Sequence, residues 1–256
     1  MDMTGNTILI TGGGSGIGKA LAEQFHTLGN QVVIAGRRRE ALDSVTAANP
    51  GMKSALVDVQ DPAALDAFAA RIAAEYPSLN ILINNAGIMK PENLKDPSES
   101  FAVAEVTVAT NLLAPMRLTK ALLPVLLKQP RAAVMNVSSG LAFLPLAMTP
   151  TYCATKAGVH SYSQSLRYQL KDTAVQVIEL APPYVATELM GAEQAKDSRA
   201  MPLAEFIAEV MEILRTRPDA TEILVQHVYP LRFAAEQGQA KYEEFFQVFN
   251  SAMTGH

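Results

Sequence analysis

The segment Gly12-Gly13-Gly14-Ser15-Gly16-Ile17-Gly18 limits the folding options of this chain more than any other stretch. An apolar run, Thr7-Ile8-Leu9-Ile10-Thr11, leads directly into it and reads as a buried strand. A helical pattern leaves it, with Ile17, Leu21, Phe25 and Leu28 recurring at every third or fourth position until Gly29 and Asn30 end the run. Strand, glycine turn and helix in this order are the context of a dinucleotide-binding loop. Glycines let the backbone approach a pyrophosphate, whose charge then meets the positive N-terminus of the helix. A merely flexible turn needs neither flank.

The same alternation continues down the chain. Gln31 to Ala35, Ser54 to Val57, Leu79 to Ile83, Ala132 to Val137, Val175 to Leu180 and Glu222 to Gln226 read as strands. Between them lie helical patterns, one opened by Asp61-Pro62 as an N-cap and first-turn pair. A polar stretch from Lys90 to Ser100 reads as a loop, and the helix after it is expected to end near Leu113, with Pro115 starting the next. Alternation of this kind points to an α/β domain with a parallel sheet. A chain of 256 residues, 49% apolar, suits one such domain.

Composition narrows the partners. Net charge is −4 without a basic stripe, so no nucleic acid is expected. One cysteine excludes an internal disulfide and fits a reducing compartment. The start, Met1-Asp2-Met3-Thr4-Gly5, lacks the features of a secretion signal, and no run approaches the ~20 apolar residues of a membrane span. A cytoplasmic protein without membrane insertion is expected. The four histidines, His26, His160, His227 and His256, show no paired spacing, so no metal site is expected.

Two further patterns carry chemistry. The second strand ends at Gly36-Arg37-Arg38-Arg39, roughly twenty residues past the glycine loop, where an acid would bind the adenosine ribose of NAD. Arginine suits a phosphate instead, so NADP is expected, with Arg37 and Arg38 on its 2′-phosphate and NAD less favoured. The plain alternative is a solvated helix start, although cations at a helix N-terminus are electrostatically unfavourable. Further on, Tyr152 and Lys156 stand four apart at the start of a helix expected to reach about Lys171, which puts their side chains on one face, ~6 Å apart. A nearby cation lowers a phenol's pKa, and such a tyrosine can act as general acid or base. Taken alone, Tyr-x-x-x-Lys is a common accident.

Together, Thr11-Gly12-x-x-x-Gly16-x-Gly18, Asn84-Asn85-Ala86-Gly87 and Tyr152-x-x-x-Lys156 resemble the short-chain dehydrogenase/reductase family over nearly the whole chain, most weakly after Thr187. Ser139-Gly140-Leu141-Ala142-Phe143 and Ala181-Pro182-Pro183 are similar to the DltE-like branch of that family. The resemblance implies a single doubly wound Rossmann domain, with a parallel seven-stranded sheet flanked by helices on both faces. It implies a catalytic tetrad of Asn111, Ser139, Tyr152 and Lys156, with Ser139 chosen over Ser138 by family spacing and Ser138 left to brace the turn. Asn111 would distort its helix and hold a water of a proton relay. Cofactor contacts are implied for Gly12, Gly14, Ser15, Gly16, Ile17, Gly18, Asp58, Val59, Asn85, Ala86, Gly87, Tyr152, Lys156, Pro182, Val185 and Thr187. Asp58 would reach the adenine edge, and Pro183, standing where the family usually has glycine, would stiffen the nicotinamide loop.

The implied activity is NADP(H)-dependent interconversion of a small-molecule carbonyl and alcohol. Alternatives are a reductase of C=C or C=N bonds, or a non-catalytic dinucleotide-sensing scaffold. Residues 188–205 would form a lid over the substrate, and Leu141, Phe143, Leu144, Leu146 and Met148 can line its pocket, pack beneath the loop or face another subunit. Cys153 reads as small buried packing. A C-terminal helical extension at about 234–253 carries Tyr242, Phe245, Phe246 and Phe249 at helical spacing, which suggests a subunit interface and hence a homodimer or homotetramer.

Overall fold

The first half of the chain forms β1 (Thr7–Thr11), α1 (Gly16–Thr27), β2 (Gln31–Gly36), α2 (Arg39–Ala48), β3 (Lys53–Leu56), α3 (Pro62–Glu75) and β4 (Leu79–Asn84). The second half forms α4 (Ala102–Val108), α5 (Ala114–Leu126), β5 (Ala132–Val137), α6 (Pro150–Gln169), β6 (Val175–Leu180), α7 (Leu203–Thr216) and β7 (Glu222–Ile223), then α8 (Tyr229–Arg232) and α9 (Gln239–Thr254). This computed structural model describes residues 1–98 and 100–254. Glu99, in the polar loop after β4, and His256, one of the scattered histidines, lie outside the described residues.

The strands make one seven-stranded sheet in the order β3-β2-β1-β4-β5-β6-β7, parallel at each pairing. Successive residues of a strand point to opposite faces, and each face is covered by helices. Ile8 and Ile10 join Leu21 and Phe25 of α1 and Phe206 and Val210 of α7. Leu9 joins Phe68 and Ile72 of α3 and Leu118 and Leu122 of α5. Because β1 pairs with β2 on one side and β4 on the other, the order in which strands are added reverses there, and the carboxyl ends of β1 and β4 open a crevice.

Three expectations are corrected. No helix ends near Leu113: α4 passes through a π-helical turn, Ala109–Leu113, and continues as α5. Pro115 lies inside this continuous run, and with no N–H it cannot donate to the carbonyl of Asn111 four residues earlier. The turn widens instead, and the Ala114 N–H bonds back to the Ala109 carbonyl. The seventh strand, expected to reach Gln226, stops at Ile223. A helical turn, Gln226–Val228, takes over, with the Gln226 N–H bonded to the Glu209 carboxylate at 2.7 Å. The long helix of the C-terminal extension begins only at Gln239, after a short turn at Ala234–Gln237.

Close approach explains one glycine of the loop. A Cβ on Gly18 would stand 2.3 Å from Asn85 Nδ2 and 2.5 Å from the Gly12 carbonyl oxygen, whereas one on Gly36 would meet only Leu42 Cδ2 at 3.7 Å. Gly18→Ala is therefore expected to destabilise the fold by ~1–3 kcal/mol, the usual cost of overpacking. Gly36→Ala should change it far less. Urea denaturation midpoints of the two variants measure the difference.

Candidate active site

At the crevice, the β1–α1 turn is tied to the turn after β4. Thr11 Oγ1 accepts from the backbone N–H groups of Asn85 and Ala86 at 3.0 and 3.1 Å, and Asn85 Nδ2 donates to the Thr11 carbonyl at 3.0 Å. Asn85 thus braces the loop rather than facing the groove. Gly12 takes φ +70°, and a Cβ there would lie 2.9 Å from Ala86 Cα, so both the conformation and the contact require glycine. Gly16 turns at φ +53° beneath Thr187, whose Cγ2 would be 3.6 Å from an added Cβ.

These turns border a groove of about 170 Å³ that runs past Gly12, Gly14, Ser15, Ala86 and Gly87 to Arg37 and Arg38, with Val57 and Val59 on one wall. Ser15 stands at the N-cap position of α1, and its Oγ accepts from Arg38 Nη2 at 3.0 Å rather than from the helix, which holds that guanidinium at the groove mouth. Both arginines are exposed, and Arg38 takes the N-cap position of α2. Ile17 packs against the sheet core. Asp58 does not line the groove: it is exposed, and its Oδ1 accepts from the Gln60 N–H at 3.0 Å. Of the groove-lining side chains that the sequence reading did not name, Ala41, Leu42, Ile88 and Thr110, the last is polar. Thr110 Oγ1 is buried there without a protein partner, and an unsatisfied buried hydroxyl costs ~1–3 kcal/mol. A glycine floor, paired cations and an orphaned hydroxyl fit a polyphosphate-bearing dinucleotide.

At the other end of the crevice, Ser139, Tyr152, Lys156 and Asn111 come together from three elements. Ser139 caps the short turn Gly140–Ala142 after β5, its Oγ accepting from the Leu141 N–H at 3.1 Å, and its hydroxyl is near enough to the Tyr152 phenol to favour the phenolate. Lys156, one turn along α6, is buried; its Nζ donates to the Val137 carbonyl at 2.8 Å and lies 5.6 Å from the Tyr152 ring centroid. Asn111 sits within the π-turn, where its Oδ1 accepts from the Ile88 N–H at 2.9 Å and its Nδ2 donates to the Ile88 carbonyl at 2.8 Å. A Cβ on Gly87 would stand 3.4 Å from Asn111 Oδ1 and 3.7 Å from Lys156 Nζ, so the groove opens onto both.

The electrostatics differ from the sequence expectation. Burial raises the pKa of the Tyr152 phenol, and the Ser139 hydroxyl only partly opposes this. Burial outweighs the pull expected from Lys156, whose ammonium is bonded to the Val137 carbonyl. Burial in turn lowers Lys156 to about 8, with Glu179 acting the other way.

Glu179 was not singled out from sequence, since a glutamate in an apolar strand carries no motif. It is fully buried on β6. Its Oε1 accepts from Ser138 Oγ at 2.5 Å and its Oε2 from His160 Nδ1 at 2.7 Å. Ser138 therefore does brace the turn beside Ser139. With Glu222, these groups place one histidine nitrogen and two carboxylates within 4.8 Å of one another. Arg232 holds both oxygens of Glu222, at 2.9 and 3.2 Å, so the cluster already carries its own cation.

The loop residues divide. Leu144 is buried, Phe143 packs edge-on against His160 with centroids 4.7 Å apart, and Leu141, Leu146 and Met148 pack around Tyr152. Cys153 is buried, as expected for packing. In the nicotinamide loop, the Pro182 carbonyl accepts from the Gly140 N–H at 2.8 Å, which couples it to the serine turn. The segment at 188–205 is well tied: Gln194 Nε2 donates to the Val185 carbonyl at 2.9 Å and to Thr187 Oγ1 at 3.2 Å. In the tail, Phe249 lies against the Tyr152 cluster of its own chain, where the sequence suggested a subunit interface.

Groove, switch point and clustered hydroxyl, phenol and ammonium define a Rossmann-fold protein of oxidoreductase type. The profile described as short chain dehydrogenase matches residues 6–198. The chain is 41% identical over 254 residues, 98% of its length and 99% of the relative's, to the uncharacterised oxidoreductase DltE of Bacillus subtilis (strain 168). A short-chain dehydrogenase from Streptomyces avermitilis superposes with TM-score 0.81 at 26% identity, covering 97% of this chain and 98% of that one. One from Sphingobium yanoikuyae in complex with NADPH gives 0.78 at 27%, covering 97% and 95%. The chain belongs to the short-chain dehydrogenase/reductase family of oxidoreductases, in its DltE-like branch. Among the described residues no helix is long and apolar enough to cross a membrane.

The lowered pKa of Lys156 has a measurable consequence. Its ordinary value is 10.5 and its folded value about 8, so between these the unfolded chain binds more protons. Stability from this group must then rise with pH across that window and stay flat below it. The unfolding free energy of the wild type relative to Lys156→Met is expected to climb as pH goes from about 8 to 10.5. A fall would mean that the folded protein favours the ammonium.

Proposed function

We propose that the protein is an NADP(H)-dependent oxidoreductase that interconverts a carbonyl and an alcohol, with Tyr152 as general acid and base. The observation that carries this reading is the meeting of Ser139, Tyr152 and Lys156 beside the Gly87 end of the groove. The glycine turn, Arg37, Arg38 and Val59 would hold NADP(H) at one end and Gly87, Lys156, Val185 and Thr187 at the other, and the bound cofactor would supply or take the hydride. Arginines in place of an acid after β2 favour the phosphorylated cofactor, as does the NADPH-bound Sphingobium relative.

The chain's own residues handle the proton and the charge. Ser139 donates a hydrogen bond to the substrate oxygen, where negative charge develops in the transition state. The raised pKa of Tyr152 keeps its phenol protonated at neutral pH, the form that gives a proton to a carbonyl oxygen. In the reverse direction the same oxygen takes the proton from the alcohol. As the phenolate forms, the Lys156 ammonium on the same helical face stabilises it, and Glu179 favours that ammonium. The π-turn leaves the Asn111 carbonyl without its helical donor, free to hold a water that returns the proton. Exposed apolar side chains such as Phe101 on the approach to α4 and Tyr168 on α6 offer the contact surface for a homodimer or homotetramer.

NADPH absorbance loss against ketones, aldehydes, enones and imines tests the reaction class; loss with ketones or aldehydes alone is expected. Tyr152→Phe should lower turnover by a factor of ~10² or more while NADPH affinity, read by fluorescence titration, stays near wild type. Arg37→Asp should shift the ratio of NADP and NAD affinities toward NAD. An unchanged ratio would remove the arginines from the cofactor site.

A further inference from the structure

We propose that α9 builds the outer wall of the substrate site within its own chain, with Phe249 and Met253 setting specificity for a neutral ketone or aldehyde with an apolar body. The substrate class rests on the oxidoreductase reading; the wall does not. Tyr242, the pair Phe245 and Phe246, Phe249 and Met253 recur at helical spacing, and each is half-buried, so the stripe does not face open solvent. At its C-terminal end Phe249 and Met253, one turn apart, pack against the cluster that contains Tyr152, Met89, Leu146 and Cys153.

Asn250 sets the helix in this position. Its Oδ1 accepts from the Ala147 N–H at 2.6 Å, and its Nδ2 donates to the Pro145 carbonyl at 3.2 Å. Both partners lie on the loop between the candidate serine and the candidate tyrosine, so α9 is pinned to the segment that leads into α6. Asn250 Nδ2 also donates to the Phe246 carbonyl one turn back at 2.9 Å, so the amide ties the helix backbone to the loop. Phe245 supports Phe249 edge-on, with ring centroids 6.2 Å apart.

The wall also indicates what it meets. Met89 belongs to the cluster that contains Tyr152, and Met148, Met190 and Met253 pack against it from the serine loop, the segment after β6 and α9. Methionine is flexible and polarizable, and it adapts to apolar groups of varied shape. The nearby Glu92 is engaged by the Thr151 N–H and Oγ1 at 3.1 and 2.7 Å, and Lys156 is committed to the Val137 carbonyl. Lys90, next to Met89, is exposed. No buried cation is left over among these groups to receive a carboxylate or phosphate, which leaves an uncharged carbonyl compound as the fitting substrate.

The chain contains no tryptophan, so Phe249→Trp places a single indole at the wall. Val248→Trp puts the same probe one residue away at a position that is 62% exposed. The indole at 249 should emit as a buried group, resist acrylamide and be quenched by added acetophenone, while the one at 248 should behave as solvent-exposed. Adding Asn250→Ala to Phe249→Trp should shift its emission toward the exposed form. In kinetics, Phe249→Ala and Met253→Ala should raise KM for acetophenone about tenfold or more relative to KM for acetone, with the affinity for NADPH held. A solvent-like indole at 249, indifferent to acetophenone, would overturn the wall. Unchanged KM ratios in an active enzyme would overturn the specificity role. If the wild type turns over no carbonyl compound, the oxidoreductase reading fails, and the indole emission still decides where α9 sits.

Discussion

The structure depends on one junction: the Thr11 side chain and carbonyl bound to the backbone and amide of Asn85 and to Ala86. β1 and β4 run side by side, yet their connections leave in opposite directions, so their carboxyl ends would otherwise part. Thr11 and Asn85 close that gap with buried polar bonds, which are worth more where water cannot compete. The closure is so tight that Gly12 and Gly18 leave no space for a side chain. The groove exists because backbone, not side chain, forms its floor.

Behind the other end of the crevice lies a second constraint, electrostatic in kind. Lys156 and Glu179 are both buried, which is costly for charged groups unless each is partnered. Lys156 has the Val137 carbonyl, and Glu179 has Ser138 and His160. The acid on β6 is thus bonded to the serine beside Ser139 while its field favours the ammonium on α6. The network also reaches the sheet edge, where Arg232 neutralises Glu222 and lies over the Phe143 ring at 4.7 Å. Charge spacing and packing of the serine turn are parts of one arrangement, and Gly140 shows how close the fit is: a Cβ there would lie 2.7 Å from Leu231 Cδ1.

The C-terminal segment completes the same region from outside. Val228 and Leu231 press on the serine turn, while Asn250 ties α9 to the following loop. Elements after the last strand therefore fix the position of side chains more than a hundred residues earlier in the chain. An asparagine after Phe249 gives no local sign of such a partner.

Periodicity and motif spacing made most of the fold legible: strands of continuous apolar residues, glycines at a close turn, and a tyrosine and lysine one helical turn apart follow from local geometry. The groups of the candidate site were legible for the same reason, because each motif is short and its spacing is set by one element. Four features were decided only by tertiary structure. The π-turn at Asn111 needs Pro115 to remain inside a helix, whereas the sequence pattern reads proline as a start. The upward shift of Tyr152 depends on burial, which spacing between Tyr152 and Lys156 does not report. The cluster of His160, Glu179 and Glu222 joins a helix to two strands distant in sequence, and the placing of Phe249 against Tyr152 depends on how the tail folds back. Local spacing determines which groups share a face; what those faces meet, and how dry the meeting is, depends on contacts between distant segments.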